Sequence, residues 1–125
     1  DIELWGNPHI KRDIICVMDV AEAYVMALES DKTYGLYNMT SGTELDLEEQ
    51  AKAVIDVFGD NKKSRIVYRP DLENHTPSYI YSMEKAKRDF GFVPKYTNYY
   101  DMMKDYKKEQ ESNRWNILVD SRKKE

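Results

Sequence analysis

A short apolar run opens directly onto a helical pattern near the start of the chain, and this junction restricts the fold more than any other feature. Residues 13–17 are mostly apolar and partly β-branched, so they predict a strand. Asp19 then predicts a helix N-cap, with Glu22 at the spacing of a capping box. Apolar residues follow at the spacing of one helical face: Val20, Ala23, Tyr24, Ala27 and Leu28. A strand followed at once by an amphipathic helix indicates an α/β fold.

The same alternation continues along the chain. Residues 34–39 and 66–68 predict two further short strands. Three more helices are predicted from their cap residues, one after Asp46, one from Ser82 to Phe90, and one after Asn98. The first of these has a predicted buried stripe of Leu47, Ala51, Val54, Ile55 and Phe58, and Gly59 should end it in left-handed geometry. A few short strands are too few for a sheet that about four helices could cover on both faces. Partner strands are therefore expected in a longer chain.

Composition and charge exclude several classes of protein. The 125 residues predict one domain, and a net charge of −4 leaves no basic surface for nucleic acid. No apolar run approaches the ~18 residues of a membrane span, so we expect no membrane partner and a cytoplasmic location. The single cysteine, Cys16, predicts a small buried side chain, and no metal site is expected because His9 and His75 lack partners at ligand spacing.

Two arginines stand at the ends of apolar runs and are candidate anion ligands. Arg12 precedes the first predicted strand, and Arg69 ends the run at 66–68. A planar guanidinium forms bidentate, charge-assisted hydrogen bonds with phosphate oxygens, so two of them suit a diphosphate. The structural alternative for Arg12 is a surface ion pair with Asp13 or another carboxylate.

Several segments resemble the extended short-chain dehydrogenases, a family of NAD-dependent nucleotide-sugar epimerases and dehydratases. Residues 12–21 resemble its R-D-(F/Y)-(V/I)-x-V-x-D-(V/L)-A segment, and residues 37–42 its Y-N-(I/L)-G-x-G segment, with Thr40 in place of a glycine. Arg69-Pro70 is similar to the start of R-P-G-D, and residues 82–94 resemble S-x-x-K-A-x-x-x-L-G-(W/F)-x-P. These motifs occur in family order, and all belong to its C-terminal part.

The resemblance implies a fold and a set of ligands. It implies that residues 1–106 form the C-terminal substrate-binding portion of such an enzyme, without the Rossmann domain, and that 107–125 form a charged helix or tail. The family arginines matched by Arg12 and Arg69 contact the diphosphate of a nucleoside-diphosphate sugar. Asp71 or Glu73 matches an acid that touches the sugar or nucleotide, and the choice between them stays open because the loop is longer than usual.

The cofactor and the chemistry are expected to lie outside this chain. The resemblance implies that NAD(P) is bound mainly by an N-terminal Rossmann domain, so no cofactor is expected here. The glycine-rich loop, the catalytic Ser/Thr and the Tyr-x-x-x-Lys pair are not found. Tyr81 and Lys85 have the right offset but stand in the wrong motif, and we interpret them as a chance match.

The preferred hypothesis is therefore a substrate-binding fragment that is inactive alone. The first alternative is a non-catalytic relative that acts as a ligand-binding or protein-interaction module. The second is a structural α/β domain without a small ligand. Because strands such as 34–39 would lack partners, we also expect the fragment to self-associate.

Overall fold

A computed structural model describes residues 1–59, 63–73 and 77–112. Within these ranges the chain forms four short strands and four helices, which confirms the predicted α/β class. In chain order they are β1 (Ile2–Trp5), β2 (Lys11–Asp13), α1 (Val17–Glu29), β3 (Glu44–Asp46), α2 (Leu47–Phe58), β4 (Ile66–Arg69), α3 (Glu84–Phe90) and α4 (Tyr99–Glu111). Helix α4 runs across the predicted boundary at residue 106, and the division into a domain and a tail stays a prediction.

The strands form two separate two-stranded sheets. Strand β1 runs parallel to β4, with Ile2 opposite Ile66, and β2 runs antiparallel to β3, with Arg12 opposite Leu45. The sequence did not predict β1 or β3. Each is short and pairs with a segment far along the chain, so its local pattern carries little information.

Two predicted strands are wrong. Strand β2 ends at Asp13 instead of extending to residue 17, because Ile15 packs into the core and Cys16 already occupies the N-cap position of α1. Residues 34–39 form no strand, and no described strand pairs with them. Their carbonyl groups are bound instead by a side chain, since Lys85 Nζ donates to Tyr34 O at 2.7 Å and to Leu36 O at 2.9 Å.

Asp19 does not cap a helix, contrary to the prediction. It lies in the first turn of α1 and is 1% exposed. Its Oδ1 accepts a hydrogen bond from Lys95 N–H at 3.1 Å, and its Oδ2 accepts one from Tyr96 N–H at 3.2 Å. The carboxylate therefore ties the start of α1 to the segment that precedes α4.

The other helix ends follow their local sequence. Asp46 and Glu49 form the predicted capping box of α2, and Asn98 caps α4 by accepting from the N–H groups of its first turn. Helix α3 begins at Glu84, two positions after the predicted cap residue Ser82, whose Oγ nevertheless accepts from the Glu84 N–H. Helix α3 ends at Phe90, as predicted, and Gly91 follows it in left-handed geometry with φ 73°.

Gly59 ends α2 for a different reason from the predicted one. Its φ is −76°, which any residue adopts. A Cβ at this position would lie 2.5 Å from Ile55 O and 2.9 Å from Ser64 Oγ. The site needs glycine because it lacks space, and backbone conformation does not require it.

The main apolar core joins α1 to α3 and to the segment between them. Ala23, Ala86 and Phe92 are almost fully buried and are surrounded by partly buried Ile15, Met26, Tyr37, Met39, Met83 and Phe90. A second contact joins α2 to α4, where the rings of Phe58 and Tyr106 meet edge to face at 6.0 Å. None of the helices in the described part of the chain is long and apolar enough to cross a membrane.

Several predicted core residues are exposed. In α2 the fully buried side chains are Ala51, Ala53 and Val57, so the buried face is rotated from the predicted stripe. Tyr24, on the predicted apolar face of α1, is 69% exposed, and Tyr106 of α4 is 52% exposed. Leu28 of α1 is 87% exposed, so part of the apolar face predicted for this helix points outward. Residues Trp115, Ile117 and Leu118, whose role the sequence did not indicate, lie outside the described residues.

Candidate functional site

Arg12 lies in the middle of β2, and backbone carbonyl groups hold its guanidinium. Its Nη1 donates to Lys11 O and to Pro77 O, each at 3.2 Å. Within the described ranges it forms no ion pair, so the surface pair with Asp13 considered above is not made there. These bonds leave Nε and Nη2, the edge that can bind a phosphate in bidentate fashion, without a protein acceptor among the described residues.

The loop that leaves Arg69 returns to β2 through residues 77–81, here called the loop end. Each residue of β2 bonds to it. The Lys11 N–H donates to Ser78 Oγ at 3.0 Å, the Arg12 side chain donates to Pro77 O, and Asp13 Oδ2 accepts from the Tyr81 N–H at 3.3 Å. The strand therefore fixes the place of the loop end beside the Arg12 guanidinium.

Asp13 also organises the turn that precedes β3. Its Oδ2 accepts a hydrogen bond from Thr40 Oγ1, and its Oδ1 accepts from the Ser41 N–H at 3.2 Å and from Ser41 Oγ at 3.5 Å. Thr40 and Ser41 are 1% and 4% exposed. The sequence did not mark Asp13 as important. Its partners lie 27 to 68 positions away, beyond any local pattern.

Arg69 stands at the end of β4, and a carboxylate already occupies its bidentate edge. Its Nε and Nη2 donate to the two oxygens of Asp71, each at 3.2 Å, and Nη1 lies 3.6 Å from Glu3 Oε1. The hydrogen bond and the charge of Asp71, followed by the charge of Glu3, raise the pKa of Arg69. In turn, the hydrogen bond from Arg69 lowers the pKa of Asp71 below its usual 3.8.

The structure brings together only some of the predicted site residues. Arg69 and Asp71 are in direct contact, whereas Arg12 belongs to the other two-stranded sheet and is linked to them by the connecting loop. Glu73 is exposed on that loop, and neither of the carboxylates bound by Arg69 is that of Glu73. His75, which the sequence analysis considered only as a metal ligand, lies outside the described residues.

Tyr81 and Lys85 are not arranged for hydride-transfer chemistry. Lys85 Nζ is bound by two carbonyl groups of residues 34–36 and lies 4.1 Å above the Tyr37 ring, which commits it to holding that segment. Tyr81 instead contributes its backbone N–H to Asp13. These positions fit the interpretation of a chance sequence match, and they do not fit a nicotinamide site.

A second charged group surrounds the start of α2. His9 Nδ1 lies 3.1 Å from Asp46 Oδ2 and 3.7 Å from Glu48 Oε2. Burial, the largest influence, raises the pKa of Asp46, but the Glu49 N–H bond and the nearby His9 and Lys11 outweigh it and lower that pKa. The group caps a helix, and no cluster of three or more His, Cys, Asp or Glu in the described ranges could hold a metal ion.

Comparison with known proteins gives relatives in sequence and in fold, although no family model matches the sequence. UDP-glucose 4-epimerase from Corynebacterium glutamicum is 28% identical over an alignment of 105 residues, and the match covers 81% of this chain and 31% of that enzyme. dTDP-4-dehydro-6-deoxyglucose reductase from Escherichia coli is 25% identical over 74% of this chain and 29% of its own length.

A solved structure gives the same result. dTDP-glucose 4,6-dehydratase from Bacillus anthracis, in complex with NAD, matches 90% of this chain and 35% of its own with a TM-score of 0.70 and 26% identity. The chain thus spans about a third of the length of these relatives. The matches fall in their C-terminal part. In sequence and in fold, the chain is similar to the C-terminal part of NAD-dependent nucleotide-sugar epimerases and dehydratases of the extended short-chain dehydrogenase family.

Proposed function

We propose that this chain is the substrate-binding portion of an NAD-dependent nucleotide-sugar epimerase or dehydratase, and that it holds the diphosphate of the substrate. The observation that carries the proposal is the state of Arg12. Two backbone carbonyl groups orient its guanidinium, while its Nε and Nη2 edge has no acceptor among the described residues. A fixed cation with an open bidentate edge suits a phosphate group.

The related enzymes support a nucleoside-diphosphate sugar as the substrate class. One relative is named for UDP-glucose, another for a dTDP sugar and a third for GDP-L-fucose, so the shared element is a pyrophosphate that joins a nucleoside to a sugar. Arg69 is the second phosphate ligand in this proposal. It must first exchange its bond to Asp71 for one to the ligand, because the same edge of the guanidinium serves both.

The proposal assigns the redox chemistry to another part of the protein. NAD(P) would supply hydride transfer, bound mainly by a Rossmann domain that completes the enzyme. The dehydratase of similar fold was solved in complex with NAD, which supports this cofactor. The Lys85 ammonium group does not supply this chemistry in its present bonds, because it is held by the carbonyl groups of Tyr34 and Leu36. We therefore expect the 125-residue chain to bind NAD weakly and to turn over no substrate. The cytoplasmic location stays a prediction.

Calorimetric titration with UDP tests the proposal. Replacing Arg12 with alanine removes a charge-assisted bidentate contact, so UDP should bind roughly tenfold more weakly or worse. Arg65→Ala is the matched control. It removes the same positive charge from the residue directly before β4, where Arg65 pairs with Asp1 and not with the proposed site. Equal UDP affinity for the wild type and Arg12→Ala would contradict the proposed site.

A further inference from the structure

We propose that Asp13 is a positioning residue for the diphosphate site, which holds the loop end against β2 and thereby fixes the Arg12 guanidinium. This inference rests on the proposed function. Asp13 stands next to Arg12 on β2, yet the two side chains do not pair among the described residues. Instead, the carboxylate binds the two segments that flank the strand.

Several hydrogen-bond donors from two distant segments converge on the Asp13 carboxylate. Its Oδ2 accepts from Thr40 Oγ1 and from the Tyr81 N–H, and its Oδ1 accepts from the N–H and Oγ of Ser41. An ionised carboxylate only accepts hydrogen bonds, so it can satisfy donors on both oxygens at once. An asparagine would point an NH₂ group at a donor in either orientation, and at least one link would be broken.

The Asp13 bonds reach Arg12 through the loop end. The guanidinium is oriented by the Pro77 carbonyl, which belongs to the loop end. Two other bonds hold that segment to β2, from Lys11 N–H to Ser78 Oγ and from Tyr81 N–H to Asp13. Losing the Asp13 bond frees the Tyr81 end of the segment and leaves the Lys11–Ser78 bond to hold it, so the Pro77 carbonyl is fixed less firmly. A flexible arginine must then lose side-chain entropy when it binds a ligand.

Asp19 provides a control within the same chain. Asp19 is also a carboxylate that accepts two backbone N–H groups from a distant segment, here those of Lys95 and Tyr96. Its partners precede α4, and among the described residues none of its bonds involves β2 or the loop end. Asp19→Asn therefore has the same chemical change and the same kind of structural cost, but it should leave Arg12 in place.

The experiment compares Asp13→Asn and Asp19→Asn by titration with UDP and by the NMR resonances of the Arg12 Nε–H and the Tyr81 amide. We expect Asp13→Asn to weaken UDP binding roughly tenfold and to shift both resonances. We expect Asp19→Asn to change the affinity less than about twofold and to shift neither resonance. Circular dichroism confirms that each variant is folded. If Asp13→Asn does not fold, Thr40→Val, which removes one donor to the same oxygen, should give a smaller loss of affinity in the same direction.

The outcomes separate this inference from the proposed function. Equal effects of the two asparagine variants on UDP affinity, or an unchanged Arg12 Nε–H resonance in Asp13→Asn, would overturn the positioning role while Arg12→Ala still reports on the site. If wild type and Arg12→Ala bind UDP equally, the proposed function fails. In that case the resonances alone decide whether Asp13 positions Arg12.

Discussion

The two candidate arginines differ in what already occupies them. Arg12 binds two carbonyl groups through one nitrogen, and its Nε and Nη2 have no acceptor among the described residues. Arg69 uses the same two nitrogens to bind Asp71. Sequence motifs assign both the same role. The difference arises because the chain turns directly after β4, where the Leu72 N–H bonds to Arg69 O and brings Asp71 back to the guanidinium.

The first prediction concerns the competition between Asp71 and a ligand for Arg69. Asp71→Asn removes the carboxylate that occupies the bidentate edge, so inorganic pyrophosphate should bind about two- to fivefold more tightly, as expected for an exposed ion pair. The gain should shrink at higher ionic strength because salt screens exposed charges. Calorimetric titration at two salt concentrations measures both effects.

Two further measurements sharpen this prediction. Glu73→Gln is the control, since it removes the same charge from the same loop while the bonds of Arg69 to Asp71 and Glu3 remain. UDP, titrated in parallel, tests whether Asp71 also contacts the nucleoside, because its affinity should then fall while that of pyrophosphate rises. Unchanged or weaker pyrophosphate binding by Asp71→Asn would refute the competition.

The second prediction concerns the pH dependence of stability at Asp46. The folded protein holds the pKa of this carboxyl below 3.8, so it binds fewer protons than in the unfolded chain. Its contribution is therefore complete above the unfolded pKa and is lost as pH falls through the lower folded pKa. Asp46→Asn keeps a cap residue but removes the charge, so it should destabilise the protein at pH 7 and have a smaller effect near pH 3. Urea unfolding at both pH values measures this, and an equal effect at both would be inconsistent with the lowered pKa.

Among elements, three helix ends were predictable, whereas the start of α1 and the pairing of the strands were not. The Asp46 capping box, the Asn98 cap and the left-handed Gly91 depend on residues within a few positions, so the sequence contains their whole cause. Strand β1 depends on β4, which pairs Ile2 with Ile66, and no local pattern specifies that partner. The candidate site divides in the same way. Motifs identified Arg12, but the bonds of Asp13 to the 40–41 turn and the loop end require the folded chain.

The third prediction tests the reason for glycine at the end of α2. With φ at −76°, Gly59→Ala would be expected to stabilise the protein by ~0.4–1 kcal/mol if backbone entropy alone mattered. We expect the opposite sign, a loss of ~1–3 kcal/mol, because the new Cβ would lie 2.5 Å from Ile55 O and must displace it. Thermal or urea unfolding gives the sign directly.

Gly35→Ala provides the comparison for Gly59→Ala. Gly35 has φ +77°, and the nearest atom to an added Cβ is Lys85 Nζ at 3.5 Å, so its cost comes from backbone strain with no close contact. If Gly59→Ala stabilised the protein, the close approach of the new Cβ to Ile55 O would not be a real constraint, and the prediction would be wrong.

At the scale of the whole molecule, α1 carries apolar side chains on more than the face that packs in the core. Its outward residues Val17, Met18, Tyr24, Val25 and Leu28 are all more than half exposed, at 76%, 66%, 69%, 54% and 87%. Tyr34 and Leu36, just beyond the helix, are 86% and 93% exposed. A helix that is apolar on most of its circumference is usually buried, so this surface favours a covering partner.

The fourth prediction is that the isolated chain self-associates through this surface. Leu28→Lys places a charge at its most exposed point on α1 and should shift the chain toward monomer. Val93→Lys is the control. Val93 is also exposed, at 63%, but it does not belong to the apolar surface formed by α1, Tyr34 and Leu36. Sedimentation velocity over a range of concentrations measures the change. A wild-type chain that stays monomeric at high concentration would contradict the prediction.

The buried carboxylate of Asp19 has a consequence for how the molecule opens. Residues 95–96 have no regular secondary structure, yet their N–H groups donate to a side chain that is 1% exposed. Their amide protons can exchange with solvent only when the first turn of α1 separates from the segment leading into α4. Hydrogen–deuterium exchange should therefore report these two irregular positions as slow as a helix interior, and their rate would measure the free energy of separating the two ends.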